Sequence, residues 1–253
     1  MLGAIAGDII GSRFEGHSKP PQDFALWHAD CRFTDDSVCS LAVADAFLDR
    51  ADYALRLRDF VRRHPNAGYG GMFIRWAMSD NAGPYGSWGN GAPMRTAAIG
   101  WLANSEEEVL YQASAQAAVS HDHPSAVTAA QAVALAIFQL RRGESGAAVQ
   151  ERLVQDFGYD LNPERALKSG GFDVSAAGTL PPALAAAFTA EDWVQAVRTA
   201  VCLGGDTDTL ACITGAVAEA LHGLPQDVGE TARSHLAPDL LEVLQRFENA
   251  TQR

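Results

Sequence analysis

The sequence GGDTDT, residues 204–209, separates two strongly apolar segments of the chain. The spacing of the apolar residues predicts one helix over 191–203 and another over 210–221. The second segment is made almost wholly of apolar or small residues, which allow helices to approach closely. We therefore expect the carboxylates and hydroxyl of 206–209 to lie at the inner end of tightly packed helices. Because buried carboxylates without partners are costly, this placement predicts cations beside them.

A second group of the same kind, FTDDS at residues 33–37, precedes the apolar run 38–48. Thr34 is placed to cap a helix there, and Asp35 and Asp36 lie where the helix dipole favours negative charge. Helix capping alone accounts for this group when it is considered in isolation. Two such groups, near opposite ends of one apolar chain, are harder to explain by capping.

The side-chain ligand atoms in the two groups are oxygens of Asp and Thr, with no His or Cys among them. Such hard ligands favour Mg²⁺, Mn²⁺ or Ca²⁺ over zinc. Because the groups contain four Asp carboxylates, two adjacent cations are favoured over one. The sequence therefore predicts a metal site at the inner helix termini.

The chain has 253 residues, 47% of them hydrophobic, which is enough for one substantial core, and no shift in composition marks a domain boundary. Ala-rich periodic segments, helix-capping signals and few alternating Val/Ile/Thr runs predict an all-α fold. We expect a single compact domain over residues 1–253. Within it, the pair Pro181-Pro182 is expected to start a helix, and residues 158–172 are expected to be irregular.

The formal net charge of −12 and the lack of a basic run disfavour attraction to nucleic-acid phosphates. The apolar residues 1–10 are too few to span a membrane and carry no basic leader, so neither an anchor nor a signal peptide is expected. The four cysteines form no CxxC pair and predict reduced thiols in a cytoplasmic protein. A monomer is favoured, although the sequence leaves the oligomeric state open.

Two glycine-rich stretches carry groups that suit an anionic ligand. Residues 68–71, GYGG, precede a short predicted helix, where glycine amides can hold an anion, although a turn with positive φ explains them equally well. Residues 84–95, PYGSWGNGAPMR, combine amides, a hydroxyl, aromatic rings and an arginine, a set that suits a nucleotide diphosphate and its base. The alternative is an ordered loop in which Trp88 covers an edge of the core and Asn90 makes turn bonds.

Two further polar groups have both a structural and a functional interpretation. Glu15 follows the first helix in a polar, Pro-containing segment, and solvation alone accounts for it. The histidines of HDHP, residues 121–124, have a spacing that permits metal binding. A polar junction between two helices is the more common explanation of such a motif.

Taken together, these motifs resemble those of the ADP-ribosylglycohydrolase family, which includes dinitrogenase reductase-activating glycohydrolase. The resemblance runs over nearly the whole chain, from GAIAGDIIGSRFE through FTDDS, GYGG, SWGNGAPMR and SHDHP to LGGDTDTLACITGAVAEAL. FTDDS and GGDTDT in this order are highly specific. The resemblance implies an all-helical fold around a binuclear magnesium or manganese centre. It also implies hydrolysis of the glycosidic bond at the anomeric carbon of the distal ribose in ADP-ribosylated substrates.

The resemblance implies roles for individual residues as well. Glu15 matches an acid that family members carry near the metal site in a mobile loop, where it gates the site or handles protons. Trp88 matches a ring that stacks on adenine, and His121 aligns with a histidine near the ligand. The implied metal ligands are Thr34, Asp35, Asp36, Asp206, Asp208 and Thr209, and the implied diphosphate and ribose contacts are Gly70, Gly71, Ser87, Gly89, Asn90 and Gly91.

In the expected mechanism, both cations bind the distal ribose hydroxyls and activate a water molecule. Asp35, Asp36 or Asp206 takes the proton of that water, and Glu15 assists the leaving group. Nearby carboxylates stabilise the oxocarbenium-like charge. The choice of acid stays open, as does the linkage, which is ADP-ribosyl arginine, ADP-ribosyl serine or a small ADP-ribose conjugate. The alternatives are a non-catalytic ADP-ribose-binding module and a structural protein like the crystallins that share this resemblance.

Overall fold

The computed structural model describes residues 1–168 and 171–251, in which the regular structure is helical. A single antiparallel bridge between Gly89 and Ser175 is the one β contact in that part of the chain. None of these helices is both long enough and apolar enough to cross a bilayer. The α-helices are α1 (Leu2–Gly11), α2 (Asp35–Asp49), α3 (Tyr53–Arg63), α4 (Gly71–Met78), α5 (Gly91–Met94), α6 (Ala97–Leu102), α7 (Glu106–Ala118), α8 (Pro124–Arg141), α9 (Gly146–Phe157), α10 (Pro163–Ala166), α11 (Ala176–Thr189), α12 (Trp193–Cys202), α13 (Thr207–His222), α14 (Gln226–Ser234) and α15 (Pro238–Thr251).

Helix α13 lies at the centre of the core and packs against α1, α8, α11 and α12. Residues 207–218 of α13 are all buried, and so is every residue of α1. The two helices approach closely because Gly3, Gly7 and Gly11 share one face of α1 at four-residue spacing. A Cβ atom on Gly7 would lie 2.0 Å from the Ala211 carbonyl oxygen, so no larger residue fits there. The all-α prediction is confirmed.

The two acidic groups lie at the N-termini of α2 and α13. Thr34 caps α2 as predicted, because its hydroxyl oxygen accepts a hydrogen bond from the Asp36 N–H over 3.3 Å. Asp206 is the N-cap residue of α13, so residues 207–209 form the first turn of that helix. The carboxylates of both groups therefore stand where buried helices begin.

The prediction that Pro181-Pro182 starts a helix is wrong. Helix α11 begins five residues earlier, at Ala176, where the Ser175 hydroxyl accepts a hydrogen bond from the Gly178 N–H over 2.9 Å. A proline ring holds φ near the helical value wherever it stands. The pair alone therefore does not distinguish the first turn of a helix from the second, and the serine cap decides where the helix begins.

The prediction that residues 158–172 are irregular holds only in part. The one-turn helix α10 lies within this range and is capped by Asn162, whose side-chain oxygen accepts from the Glu164 N–H over 3.0 Å. Asn162 and the following proline form a helix-start signal of the usual kind. Residues 169–170 lie outside the described part of the chain.

Candidate active site

The acidic groups of α2 and α13 meet at the floor of a cavity of about 690 Å³. Although 173 residues separate them in sequence, Thr209 Oγ1 donates a hydrogen bond to Asp36 Oδ2 over 3.3 Å. Helix α1 contacts both α2 and α13, so the packing of α1 holds the two helices together. The fold thus joins two groups that the sequence places near opposite ends of the chain.

The carboxylate oxygens at the floor form two adjoining sets. Oxygens of Asp8, Asp36 and Asp208 lie within 4.8 Å of one another, and so do oxygens of Glu15, Asp206 and Asp208. Asp208 belongs to both sets, which makes the sets neighbours. All-oxygen groups of this kind are the ligands that hard divalent cations prefer.

Among the described residues, the floor carboxylates have no cationic partners. Across residues 1–168 and 171–251, no lysine or arginine forms an ion pair with Asp35, Asp36 or Asp208. The buried Oδ1 of Asp36 has no hydrogen-bond partner either. Because a buried anion without a partner is costly, the residues present fit divalent cations.

Asp8 belongs to this floor and was not predicted from the sequence. It is fully buried in α1, and its carboxylate accepts hydrogen bonds from the Thr34 N–H over 3.0 Å and from Thr34 Oγ1 over 2.6 Å. It also accepts from the Ser37 N–H over 3.1 Å and from the Ser37 hydroxyl. The available signal was that Asp8 is the one charged residue of an otherwise apolar helix, because such a carboxylate must find donors elsewhere in the fold.

The environment of the floor raises the pKa of its acids. Burial, followed by the Asp8 and Asp206 carboxylates, raises the pKa of Asp35 to about 8. Burial and neighbouring carboxylates also raise the pKa values of Asp36 and Asp208 well above their usual range. The ionised carboxylates of the floor therefore repel one another, and a bound cation would offset this repulsion.

The segment that carries Glu15 is attached to the glycines before α13. The Gly16 N–H donates to the Gly205 carbonyl oxygen, and the Gly205 N–H donates to the His17 carbonyl oxygen, each over 2.8 Å. Gly205 has a φ of +79° there, a conformation that favours glycine. Partial burial and the Asp206 carboxylate raise the pKa of Glu15, and Arg32 opposes this shift.

The wall of the cavity is built from the two glycine-rich stretches predicted to hold an anion. Gly70 and Gly71 lie at the start of α4. In the second stretch, Ser87 Oγ accepts from the Gly89 N–H over 3.3 Å. Asn90 turns its side chain away from solvent, and its Nδ2 donates to Asp206 Oδ2 over 2.6 Å. The wall and the floor are therefore joined by a direct hydrogen bond.

A third wall segment, residues 171–175, was not assigned to the site from the sequence. The Asn90 N–H donates to the Val174 carbonyl oxygen, and the Ala176 N–H donates to the Trp88 carbonyl oxygen, each over 2.9 Å. Phe172 and Trp88 both line the cavity and are 56% and 51% exposed. Exposed aromatic rings at a cavity mouth suit a planar ligand, so Trp88 does not serve merely to cover an edge of the core.

The two histidines of the HDHP motif lie in different environments. His121 is buried and lines the cavity. His123 is exposed and caps α8, where its Nδ1 accepts from the Ser125 N–H over 3.2 Å. The motif is therefore a helix junction with one residue turned to the cavity.

The structure thus brings most of the predicted site residues to one cavity. Thr34 is the exception, because it lies behind the floor and is held by Asp8. The individual roles assigned to these residues stay predictions. Those that line the cavity are Glu15, Asp35, Asp36, Gly70, Gly71, Ser87, Trp88, Gly89, Asn90, Gly91, His121, Asp206, Asp208 and Thr209. Tyr85 and Arg95 of the stretch 84–95 also line it, and lining residues that were not predicted include Met72, Arg75, Phe172 and Val174.

Comparison with known proteins agrees with this architecture. ADP-ribosylhydrolase ARH3 of Xenopus tropicalis is 22% identical over 303 aligned positions, which cover 89% of this chain and 87% of the relative. The human ADP-ribosylhydrolase ARH3 is 23% identical over 310 positions, which cover 89% and 85%. A solved structure described as an ADP-ribosylglycohydrolase-related protein complex superposes with a TM-score of 0.74 and 25% identity, and covers 99% of this chain and 97% of that one.

A comparison with a protein-family model agrees with these similarities. The model described as ADP-ribosylglycohydrolase matches residues 1–253. This match supports a hydrolase that acts on ADP-ribosyl groups, and it confirms the resemblance inferred from the motifs. The chain belongs to the ADP-ribosylglycohydrolase family.

Proposed function

We propose that this protein is a metal-dependent hydrolase that cleaves the glycosidic bond at the anomeric carbon of the distal ribose in ADP-ribosylated substrates and releases ADP-ribose. The observation that carries the proposal is the meeting of the two acidic groups at the floor of a cavity walled by glycine-rich loops. A cavity of about 690 Å³ also falls within the range of pockets that hold small-molecule ligands. The substrates considered are ADP-ribosyl-arginine proteins, ADP-ribosyl-serine proteins and small ADP-ribose conjugates.

The cofactors proposed are two Mg²⁺ or Mn²⁺ ions. Thr34 suits a ligand role because its hydroxyl proton is donated to Asp8 and one lone pair accepts from the Asp36 N–H, which leaves the second lone pair available. When bound, such cations supply positive charge that polarises the distal ribose hydroxyls and a water molecule. The residues proposed to hold them are Thr34, Asp35, Asp36, Asp206, Asp208 and Thr209.

The floor acids would handle protons and charge during the reaction. Asp35, Asp36 or Asp206 accepts the proton of the attacking water, and Glu15 at the rim gives a proton to the leaving group. The raised pKa of Glu15 suits a proton donor, because more of that group stays protonated near neutral pH. The surrounding carboxylates stabilise the oxocarbenium-like charge that develops at the anomeric carbon.

The rest of the ligand would lie along the cavity wall. Two cations, Arg75 and Arg95, line the cavity away from any ion pair in the described residues. Positive charge on the wall and carboxylates on the floor suit a ligand with a diphosphate at one end and a neutral sugar at the other. Trp88 stacks on adenine, and the diphosphate and adjoining ribose are held by Gly70, Gly71, Ser87, Gly89, Asn90, Gly91 and His121.

Two other functions make different demands on the chain. A non-catalytic ADP-ribose-binding module needs the wall loops but not two acidic groups at the floor. A crystallin-like structural protein needs neither the loops nor the acids. Asp36 Oδ1 has no hydrogen-bond partner among the described residues, which favours the enzyme, since such a buried oxygen is costly to keep in a protein that does not use it.

We propose that the protein works on its own as one domain of residues 1–253 in the cytoplasm. Its four cysteines are free thiols, which suits a reducing compartment. The partners are ADP-ribose and ADP-ribosylated proteins or small conjugates. The net charge of −12 disfavours direct binding to nucleic acid.

The test is release of ADP-ribose by the purified protein with Mg²⁺ or Mn²⁺ and a panel of arginine-, serine-, O-acetyl- and phosphate-linked ADP-ribose conjugates. We expect release from at least one conjugate, and loss of release in Asp206→Ala with an unchanged helical circular dichroism spectrum. Asp227→Ala serves as a matched control, because Asp227 is exposed and does not line the cavity. Binding of ADP-ribose without turnover of any conjugate would favour the binding module. Wild-type rates in Asp206→Ala would refute the role of the floor.

A further inference from the structure

The imidazole of His121 stands in the cavity wall with its two nitrogens in different surroundings. Nδ1 lies 2.8 Å from Ser120 Oγ, on the protein side of the ring. Nε2 faces the glycine loop, because a Cβ atom on Gly91 would lie only 2.8 Å from it and one on Gly89 would lie 3.6 Å from it. Within the described residues, Nε2 has no hydrogen-bond partner of its own. The ring therefore presents Nε2 to the cavity.

Behind His121 lies a fully buried arginine, Arg95, with fixed partners. Its Nε donates to Gln116 Oε1 over 2.6 Å, and its Nη2 donates to the Gln116 carbonyl oxygen over 2.7 Å. The same Nη2 donates to Ser120 Oγ over 3.1 Å. Gln116 is held in turn, since its Nε2 donates to the Ala92 carbonyl oxygen over 3.1 Å. The direction of each of these bonds is set by chemistry, because a guanidinium only donates and a carbonyl oxygen only accepts.

This geometry determines where the proton of His121 lies. Arg95 donates to Ser120 Oγ and cannot accept its proton, and Nδ1 of His121 is the one hydrogen-bond partner in the described part of the chain that can accept the proton of this hydroxyl. Nδ1 must then be unprotonated, and the ring proton sits on Nε2. Burial, and then the charge of Arg95, lower the pKa of His121 well below its usual value, which also favours the neutral ring.

We propose that Arg95 and Ser120 are positioning residues that hold His121 in the neutral Nε2–H tautomer, so that this nitrogen donates a hydrogen bond to the diphosphate of an ADP-ribosyl ligand. The inference rests on the proposed function. The diphosphate is the part of such a ligand that carries negative charge, and the carboxylates of the floor repel it. The wall beside Gly91 combines a donor with the buried charge of Arg95, whose Nη1 has no partner among the described residues. The preset tautomer removes the cost of reorienting a proton when the ligand binds.

The first experiment reads the tautomer directly in the ligand-free, full-length protein. In a protein labelled with ¹⁵N-histidine, we expect the NMR shifts of His121 at pH 7 to report an unprotonated Nδ1 and a protonated Nε2. In Ser120→Ala, the two shifts should move towards each other as both tautomers become populated. His123 is the internal reference, because its Nδ1 accepts from the Ser125 N–H, which the substitution does not touch. A protonated Nδ1 in the wild type, or shifts that Ser120→Ala leaves unchanged, would overturn the proposal.

The second experiment connects the tautomer to binding through titration calorimetry with ADP-ribose, ADP and adenosine. Ser120→Ala should raise the Kd of ADP-ribose and of ADP about two- to threefold, because only the fraction of rings with the proton on Nε2 then binds the diphosphate. It should leave the Kd of adenosine unchanged, because adenosine carries no phosphate. Equal affinity of wild type and Ser120→Ala for ADP-ribose overturns the proposal. If the wild type binds no ADP-ribose, the proposed function is wrong. The NMR result then still shows whether Ser120 sets the tautomer of His121.

A second pair of variants keeps the test valid if Ser120→Ala does not fold. His121→Gln retains an amide N–H near the position of Nε2, whereas His121→Ala removes it. We expect His121→Gln to bind ADP within about threefold of wild type and His121→Ala to lose about tenfold. Equal losses in the two variants would show that the Nε2–H donor is not what the ligand uses.

Discussion

The side-chain amide of Asn90 donates a hydrogen bond to Asp206 over 2.6 Å, although 116 residues separate the two in sequence. Asn90 precedes the short helix α5 in the wall of the cavity, and Asp206 is the N-cap residue of α13 at its floor. The same amide nitrogen donates to Thr179 Oγ1 over 3.1 Å. The position of the wall loop is therefore coupled directly to that of a floor carboxylate.

Removal of this hydrogen bond should affect turnover and ligand binding together. Asn90→Ala leaves Asp206 Oδ2 without its donor, so we expect the rate of ADP-ribose release and the affinity for ADP-ribose each to fall about tenfold or more. Thr179→Val is the matched control, because it removes the other partner of Asn90 and keeps the bond to Asp206. Its effect should stay within about threefold. Wild-type turnover in Asn90→Ala would show that the bond does not orient the carboxylate.

The parts of this site that could be predicted from the sequence are those in which a few neighbouring residues form a recognisable motif. FTDDS and GGDTDT are recognisable because threonine and adjacent acids before apolar runs are unusual, and Thr34 caps its helix as its position predicts. Asp8 could not be predicted in this way, because the donors that hold its carboxylate come from residues 34 and 37, which lie near it only in the folded protein. The segment 171–175 escapes for the same reason, since its contacts to the wall loop are made by backbone atoms that carry no sequence signal.

Asp8 offers a prediction about metal affinity that activity alone does not test. Asp8→Asn replaces one acceptor oxygen with an N–H₂ group that faces the donors of Thr34 and Ser37. We expect a loss of about 2 to 3 kcal/mol in the free energy of unfolding, and at least a tenfold weaker affinity for Mg²⁺ or Mn²⁺ by calorimetry. The metal effect follows because Thr34 and the start of α2 lose their fixed orientation.

Asp45, a buried acid on α2, provides a control that separates the effect on stability from the effect on metal affinity. Asp45 is paired with Arg56 and Arg246 and does not line the cavity. Asp45→Asn should therefore lower stability while metal affinity stays within about twofold of wild type. If Asp8→Asn and Asp45→Asn weaken metal binding equally, loss of stability rather than positioning explains the effect.

Gly205, which precedes Asp206, provides a test of how closely the wall segment 171–175 packs against the start of α13. Gly205 has a φ of +79°, and a Cβ atom there would lie 2.4 Å from the Gly171 carbonyl oxygen. Gly205→Ala thus combines backbone strain with a backbone clash, and we expect a loss of roughly 3 kcal/mol or more in the free energy of unfolding. Gly158 has a similar φ of +72° but no atom near its Cβ position. Gly158→Ala should therefore lower the free energy of unfolding by only about 1 to 2 kcal/mol, which is the cost of the backbone conformation without a clash. Equal losses on urea unfolding would contradict the close contact.

The raised pKa values of the floor predict how the metal-free protein responds to pH. Asp35 titrates at about 8 in the folded state against an ordinary value of 3.8, so between these values the folded protein binds a proton that the unfolded chain has released. Stability in EDTA must then fall as pH rises through this window, and the shifts of Asp36 and Asp208 act in the same direction. The lowered pKa of His121 acts oppositely below its ordinary value of 6.5, so the comparison is best made above that pH.

Between pH 6.5 and pH 8 we expect the Tm of the metal-free protein to fall by roughly 3 to 6 °C, because one group with a pKa of about 8 contributes about 1.6 kcal/mol over this interval. Added Mg²⁺ should raise the Tm more at pH 8 than at pH 6.5, because the cation and protons compete for the same oxygens. Asp35→Asn provides the control, since an amide does not titrate, and its Tm in EDTA should depend less on pH. A Tm that rises towards pH 8 would mean that the floor carboxylates are already neutralised within the protein and do not need a cation. An unchanged slope in Asp35→Asn would contradict the assignment of the pH dependence to Asp35.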